Sequence, residues 1–418
     1  MMTQKDLFAK ALMVEQPWFV NQIKFDQQAG TLEIWIDFER GSTFYYKDEA
    51  LEVNGLFKAY DTVEKSWRHL NFFQYKCILH AWIPRVDLGN GKVRLVKAPW
   101  EGISAGFTLI FEAFILELIR MMPVHQICQL MEIEDHKVWK MMRTYIDMAR
   151  ESEDFSNVKI VGIDETSARK NHNYVSLVVD FEEKRTIYVT EGKDSTVVEK
   201  FANDLKEHNG DPLNIEQISC DMSQAFKKGI EENLPNADIV FDKFHLIKIV
   251  NEAVDKVRKA EVVNNPLLKK TKYLFLKNNE NLTENQKQWL STIRLSGLNL
   301  KTVRALNIRE SFQQIFHVDS PEEFLFLLKK WYFWATHSRI YEMKQVAYTI
   351  KRHWNGIVNW IYYKIANGIL EGFNSIFQAA KAKARGYKRP DTIKAMIYLL
   401  TGKLDFSKIN PYHVTHSN

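Results

Sequence analysis

The spacing of apolar positions changes three times along the chain, and each change marks a different kind of element. Two β-prone runs at 18–25 and 31–38 flank Asp26-Gln-Gln-Ala-Gly, which predicts a hairpin. A second pair at 77–86 and 92–97 flanks the turn Asp87-Leu-Gly-Asn-Gly. Between them, Ser66-Trp-Arg-His-Leu-Asn-Phe-Phe-Gln interleaves aromatic and basic side chains. That mixture suits nucleic-acid contact, although aromatic side chains in a small domain more often form its core. Residues 1–100 therefore read as a small strand-rich domain.

Over 104–150 the period becomes helical. One amphipathic helix spans 108–121, and Pro123 opens a short second one that ends near Met131. After the break Glu132-Ile-Glu-Asp, Asp135 is placed to N-cap a third helix. There Val138, Met141, Met142 and Tyr145 form an apolar stripe, and His136, Lys140 and Arg143, with Lys137 beside them, occupy the other side. A short helix, a tight turn and a helix with a basic outer face resemble a helix-turn-helix, whose second helix can enter a DNA major groove. Three-helix packing of this kind also occurs without DNA.

Residues 158–262 begin as an α/β unit. The run 158–163 is apolar on both faces, as in a central strand. Strands at 174–180 and 186–190 pair across Phe181-Glu-Glu-Lys, and a helix at 195–208 has Asp194 or Ser195 as its cap. A strand at 215–220, a helix from Ser223 and a strand at 238–241 complete a mixed sheet covered by helices. Beyond Asp242 the chain is helical to about residue 400, with an aromatic core expected from Trp331, Trp334, Trp354 and Trp360. The fold class is multidomain α/β with a large all-helical insertion at 263–360, a further helix and basic segment at 361–400, and a tail at 401–418.

Composition narrows the function classes. At 418 residues the chain can bury several cores. Its three cysteines include no CxxC pair, so neither a disulfide framework nor a cysteine-rich zinc site is expected. The most apolar run, 107–122, is interrupted by Glu112, Glu117 and Arg120, and the N-terminus lacks an export pattern. The expectation is an intracellular protein without a membrane partner. The net charge of +5 is uneven: residues 376–418 hold eight Lys or Arg against Asp391 and Asp405, which leaves the rest of the chain near neutral. A local basic patch attracts polyanions.

Three acids stand where turns and caps alone need not put them. Asp164, with Glu165 beside it, ends the first strand of the α/β unit, and Asp221 ends its fourth. Open α/β sheets place their sites at such carboxyl edges. Glu371 lies on a later helix, where Asn367, Glu371, Asn374 and Gln378 make a polar stripe. Ile369, Leu370, Phe373, Ile376 and Phe377 cover its apolar side, and Gly368 and Gly372 permit close backbone approach. Carboxylates on two strands and a helix can hold hard divalent cations, and two such ions about 4 Å apart stabilise both oxygens of an in-line phosphoryl transfer. A single strand-end Asp is more often a turn former or a cap.

Several motifs in order carry a more specific signal. Val161-Gly-Ile-Asp-Glu, Ser219-Cys-Asp-Met-Ser, Val240-Phe-Asp-Lys-Phe-His-Leu-Ile-Lys, Asn251-Glu-Ala-Val-Asp-Lys-Val-Arg and Asn367-Gly-Ile-Leu-Glu-Gly-Phe-Asn resemble the ISL-three family of bacterial insertion-sequence transposases. So do Lys381-Ala-Lys-Ala-Arg-Gly-Tyr, Trp67-Arg-His-Leu and Ala98-Pro-Trp. The resemblance implies a DDE transposase with an RNase H-like catalytic domain. Asp164, Asp221 and Glu371 then match the three catalytic, metal-binding acids, served by two Mg²⁺ ions for which Mn²⁺ can substitute. It implies as partners the double-stranded DNA of the element's ends and of the target. It also implies a homo-oligomer, a dimer in its synaptic complex, and a bacterial cytoplasmic, nucleoid-associated location. Family members usually carry an N-terminal cysteine zinc module; here the corresponding region has only Cys77, so zinc is not expected.

Other residues fall around these acids. Asp242 caps the long helix after the last strand and His245 lines the site. Arg169, Lys170 and His172 are candidates for phosphate contact near the first acid. Lys381 and Arg385 continue the Glu371 stripe and make the basic segment a DNA track. Glu165, Asn367 and Asn374, with Asp242 and His245, are expected to support the site. Two rival readings stay open: a metal-dependent nuclease of the same fold that cuts without joining, and a non-enzymatic DNA-binding repressor.

Overall fold

Two separate sheets organise the computed structural model, which describes residues 2–89, 91–104, 106–169, 173–296, 298–364, 368–387 and 389–413. The chain divides into one unit of Met1–Glu153 with Ala379–Asn418 and another of Asp154–Gln378. Among the described residues, no helix is long and apolar enough to cross a membrane.

The first unit opens with α1 (Gln4–Ala11) and the strands β1 (Trp18–Asp26), β2 (Thr31–Phe38), β3 (Thr43–Asp48), β4 (Val53–Phe72), β5 (Tyr75–Asp87) and β6 (Val93–Leu95). They form a sheet in the order β1-β2-β5-β4-β3, with β6 on β5. Alternation along β2 sends Leu32, Ile34 and Ile36 inward, as a period of two requires. The expected hairpins β1–β2 and β5–β6 are both present. The aromatic–basic stretch from Ser66 lies mostly on β4: Trp67 is in the core, 5.9 Å from the Trp100 ring, while Phe73 at the following turn faces solvent. Trp18 packs edge-on against Trp100 at 5.2 Å. Cys77 sits inside this core, and burial pushes its thiol up to about 12.

Three helices follow: α2 (Leu109–Met121), α3 (Val124–Met131) and α4 (Asp135–Glu151). Val138, Met141, Met142 and Tyr145 are all buried. Asp135 is not the N-cap. Glu134, in extended conformation, holds that place without a side-chain bond, and Asp135 is already helical, where its charge favours the first turn. Glu112 of α2 is fully buried; the N–H groups of Ile103 and Ser104 and the Tyr145 hydroxyl donate to it, and burial raises its pKa.

The second unit holds β7 (Ile160–Arg169), β8 (Asn173–Asp180), β9 (Arg185–Glu191), α5 (Thr196–Glu207), β10 (Gln217–Cys220), α6 (Gln224–Asn233) and β11 (Asp238–Phe241). The sheet order is β11-β10-β7-β8-β9, parallel on the β11-β10-β7 side and antiparallel on the other. At α5, Ser195 occupies the N-cap without a side-chain bond, and Asp194 accepts from the Thr196 N–H instead. Then come α7 (Lys243–Glu261), α8 (Lys272–Leu276), α9 (Glu284–Leu295), α10 (Lys301–Ile315), α11 (Pro321–His337), α12 (Tyr341–Arg352), α13 (Trp354–Tyr363) and α14 (Gly368–Lys383). One continuous core joins the sheet to the helices after Asp242. Trp331 is buried and Trp354 and Trp360 pack at its margin, but Trp334 is exposed. On α11 the buried stripe is Phe324, Leu328, Trp331 and Ala335, and Trp334 falls off it. The chain ends with α15 (Pro390–Thr401) in the first unit, where the Arg150 guanidinium of α4 lies 4.9 Å over the Tyr398 ring.

Helices α5 and α6 meet at Gly229, where an added Cβ would lie 2.7 Å from the Ser195 carbonyl oxygen and 3.0 Å from Val198. A backbone oxygen cannot rotate away. Gly229→Ala is therefore expected to destabilise the protein by about 1–3 kcal/mol, the usual cost of overpacking, read from the urea midpoint.

Candidate active site

The parallel ladder between β7 and β10 ends at the pair Gly162–Ser219, whereas the antiparallel ladder with β8 continues through Asp164 and beyond. Asp164 is thus not the end of its strand, which runs on to Arg169 because β8 still supplies hydrogen bonds. It stands where β7 loses its neighbour on one side. Asp221 follows β10 directly, and its carboxylate accepts the Ser223 N–H at 2.9 Å. The two acids thus meet at the edge where the β10 ladder stops.

Helix α14 reaches this edge from far along the chain, and its register is set residue by residue. A Cβ on Gly162 would lie 2.8 Å from Leu370 Cδ1, so the missing side chain admits the helix. Asn374 Nδ2 donates to Asp164 Oδ2 at 2.5 Å, and Gln378 Nε2 donates to Thr166 Oγ1 at 2.8 Å. Every fourth helix residue therefore meets every second strand residue. The match is geometric: four helical residues rise about 6 Å and two strand residues about 6.6 Å. Glu371, next to Leu370, is left free of the strand and exposed at the cleft.

The cleft has a volume of about 420 Å³, and Asp164, Glu165, Asp221, Asp242, His245, Glu371 and Asn374 all line it. Burial, with Asp221 and Asp242 nearby, raises the Asp164 pKa, against the Glu165 N–H bond and His245, which lower it. Glu165 is pushed up to about 7 by burial and by Asp221. Asp242 Oδ1 accepts the Phe244 N–H and N-caps α7. Its other oxygen lies 3.0 Å from His245 Nδ1, an ion-pair distance at an angle outside hydrogen-bond geometry. That carboxylate raises the His245 pKa above its ordinary value.

Oxygen donors dominate this lining, which is the chemistry of a site for hard divalent cations. Asn374 Oδ1 is buried and without a hydrogen-bond partner, an acceptor left over once Nδ2 has bound Asp164. Among the described residues, no three His, Cys, Asp or Glu side chains converge closely enough to ligate a single ion. The carboxylates face one cleft without forming a closed cage, as suits an ion that takes one or two carboxylates and completes its shell with substrate oxygens and water.

Of the other expected residues, Asn367, Lys170 and His172 lie outside the described residues, and Arg169 is the last residue of β7. His136, Lys137 and Lys140 are exposed on α4 and Arg143 is half-buried there. Lys381 is on α14 and Arg385 just beyond it; neither lines the carboxylate cleft. On α14, Leu370 and Phe377 are buried, but Ile376 is exposed. Gly368 and Gly372 admit no close approach, since an added Cβ at either meets open space. The glycine that does is Gly162, which sequence reading passed over; a glycine inside an apolar strand was the available signal.

A family model described as a transposase matches residues 161–397, more than half of the chain. A transposase for insertion sequence element IS1557 of Mycobacterium tuberculosis is 26% identical over 364 residues, 80% of this chain and 81% of the relative. A transposase for insertion sequence element IS1001 of Bordetella parapertussis is 24% identical over 342 residues, 79% and 83% of the two chains.

Two measurements test the site's construction. Gly162→Ala is expected to cost about 1–3 kcal/mol by pushing Leu370 and Phe181 away, while Gly372→Ala, with no steric penalty, stabilises by up to about 1 kcal/mol; urea titrations should show opposite signs. Glu165 supplies a pH dependence. Its folded pKa, about 7, lies above the ordinary 4.5, so the folded state binds the proton more tightly and its contribution is lost as pH rises through 7. With EDTA present, the urea midpoint of the wild type should fall more steeply between these pH values than that of Glu165→Gln.

Proposed function

Because the chain belongs to the ISL-three family of DDE transposases, we propose that it binds the terminal inverted repeats of an insertion sequence, cleaves the element's ends and joins them to target DNA. The observation that carries this reading is the convergence of Asp164, Asp221 and Glu371 on one cleft, from a strand, the end of a second strand and a helix, across up to 207 positions. In it, the sheet β11-β10-β7-β8-β9 with Glu-bearing α14 is an RNase H-like catalytic domain, interrupted by the helical insertion. Helices α3 and α4 act as a helix-turn-helix on the duplex.

Asp164, Asp221 and Glu371 would hold two Mg²⁺ ions, which when bound supply Lewis-acid stabilisation to both oxygens of an in-line phosphoryl transfer. The chain's own residues prepare that chemistry. Asn374 fixes one oxygen of Asp164 and so orients the other. His245, kept protonated more readily by Asp242, faces the cleft as a donor toward phosphate oxygens. The loss of β10 pairing beyond Gly162 leaves the edge open for a scissile phosphodiester. A single site can serve both steps because cutting and joining are the same reaction with different nucleophiles, water and a 3′-hydroxyl.

Asp164→Asn, Asp221→Asn and Glu371→Gln should each lower Mg²⁺-dependent strand transfer by at least about a hundredfold, a loss of the size seen when one group stabilising the transition state is removed. Duplex affinity should change little. The assay uses DNA carrying the genomic flanks of the gene, and a second substrate with pre-cleaved ends. Cutting without joining of pre-cleaved ends would identify a nuclease; specific binding with no metal-dependent product would identify a repressor.

A further inference from the structure

The basic C-terminal segment belongs to the first unit, and it closes a second cleft there. This cleft, about 540 Å³, is lined from the start of α3 by His125, from the first turns of α4 by Asp135, His136, Trp139 and Arg143, and from the C-terminal segment by Ala384, Gly386, Tyr387, Arg389 and Thr392. Arg385 (φ 56°) and Gly386 (φ 98°) are successive left-handed residues that end α14 sharply, with the Gly386 N–H bonded to the Lys381 carbonyl at 2.8 Å. The turn delivers Tyr387, nearly buried, edge-on to the Trp139 ring at 6.2 Å. Arg389 follows, exposed at the cleft, just before Pro390 opens α15.

The charges here are arranged unlike those of an ordinary solvated surface. Arg143 and Arg389 approach the cleft from elements more than two hundred residues apart; among the described residues neither has an acid within 4 Å or a side-chain hydrogen bond, and Asp147, one turn along α4, is the acid that feels Arg143. His125 and His136 add donors. Asp135 is the one acid in the lining, and it sits in the first turn of α4, where the helix N-terminus already neutralises much of its field. Two guanidiniums brought to one cleft, each able to bind phosphate bidentately, beside the Trp139 and Tyr387 rings, match an anionic oxygen cluster.

We propose that this cleft is a phosphate-binding site for duplex DNA, completed by Ala384, Gly386, Tyr387, Arg389 and Thr392, and that it clamps the backbone of the duplex lying along the exposed His136 and Lys140 side of α4. The inference rests on the reading of the chain as a DNA-binding transposase and goes beyond it. It assigns the C-terminal basic segment to end binding and makes Arg389 a binding residue outside the catalytic cleft.

The test measures binding of the full chain to a fluorescent duplex carrying the flanking inverted repeat, over a range of salt, with thermal melting of each variant as the check on folding. Each phosphate contact contributes about 0.9 to the slope of log affinity against log salt. Arg389→Ala and Arg143→Ala should each reduce that slope by about one and weaken binding several-fold. Arg389→Lys should recover most of the slope, and Lys408→Ala, a charge that does not line the cleft, should leave it unchanged. An Arg389→Ala protein that melts normally and keeps the wild-type slope overturns the clamp while the transposase reading stands. An equal loss from Lys408→Ala overturns it too, because net charge would then explain the effect. A wild-type chain with no affinity for the duplex overturns both readings.

Discussion

The register between α14 and β7 is the constraint on which the candidate active site depends. Leu370, Asn374 and Gln378 meet Gly162, Asp164 and Thr166 in sequence, one helical residue in four against one strand residue in two. Slipping the helix by one residue would rotate its contacts by about 100°, taking Leu370 off the bare backbone of Gly162 and Asn374 off Asp164. Glu371 would move with them. The carboxylate's position is therefore fixed less by its own contacts than by the close fit of its neighbour against a glycine.

That arrangement concentrates negative charge, and the electrostatics record the cost. Asp164 and Glu165 are each harder to ionise than in water, chiefly because of burial and then because of neighbouring acids. Asn374, the backbone N–H of Glu165 and the nearby His245 offset part of that penalty. Asp242 caps α7 through the Phe244 N–H with one oxygen and holds the other beside His245, while Asp221 accepts the Ser223 N–H with one oxygen; both acids line the cleft. Capping and site formation are compatible here because a carboxylate has two oxygens.

In the first unit a different buried acid holds separate segments together. Glu112 collects the loop at Ile103 and Ser104 and the hydroxyl of Tyr145 on α4, while Asn410 donates to Tyr145 and to the Leu109 carbonyl. A loop, two helices and the C-terminal end thereby share one hydrogen-bonded network inside an apolar core. Every partner is needed, since a buried polar group left unpaired is costly. Arg150 over Tyr398 and Tyr387 beside Trp139 extend the same joining of α4 to the chain's end.

Much of this architecture can be read from periodicity, because local sterics and the alternation of buried positions act within a few residues. The hairpin of β1 and β2, the buried stripe of α4 and the strands at Ile160 and Asp238 follow from the sequence for that reason. Chemistry-bearing residues stand out too: Asp164, Asp221 and Glu371 are visible as acids near element ends. What periodicity cannot supply is which distant surfaces meet. Trp334 and Ile376 are apolar residues expected to pack inward yet face solvent, since burial depends on what the fold brings opposite. Both Gly162 and Gly372 lie near candidate acids in the sequence; only packing shows that a side chain at the first would crowd Leu370 and Phe181 while one at the second meets open space. The basic segment shows the same limit. Its charge is fixed by composition, but the left-handed turn at Arg385 and Gly386 and the docking of Tyr387 decide which surface that charge joins. The sequence by itself determined the elements and their chemistry, through forces that act over a few bonds. The tertiary structure alone decided their partners, because those contacts depend on shape complementarity between segments up to about three hundred residues apart.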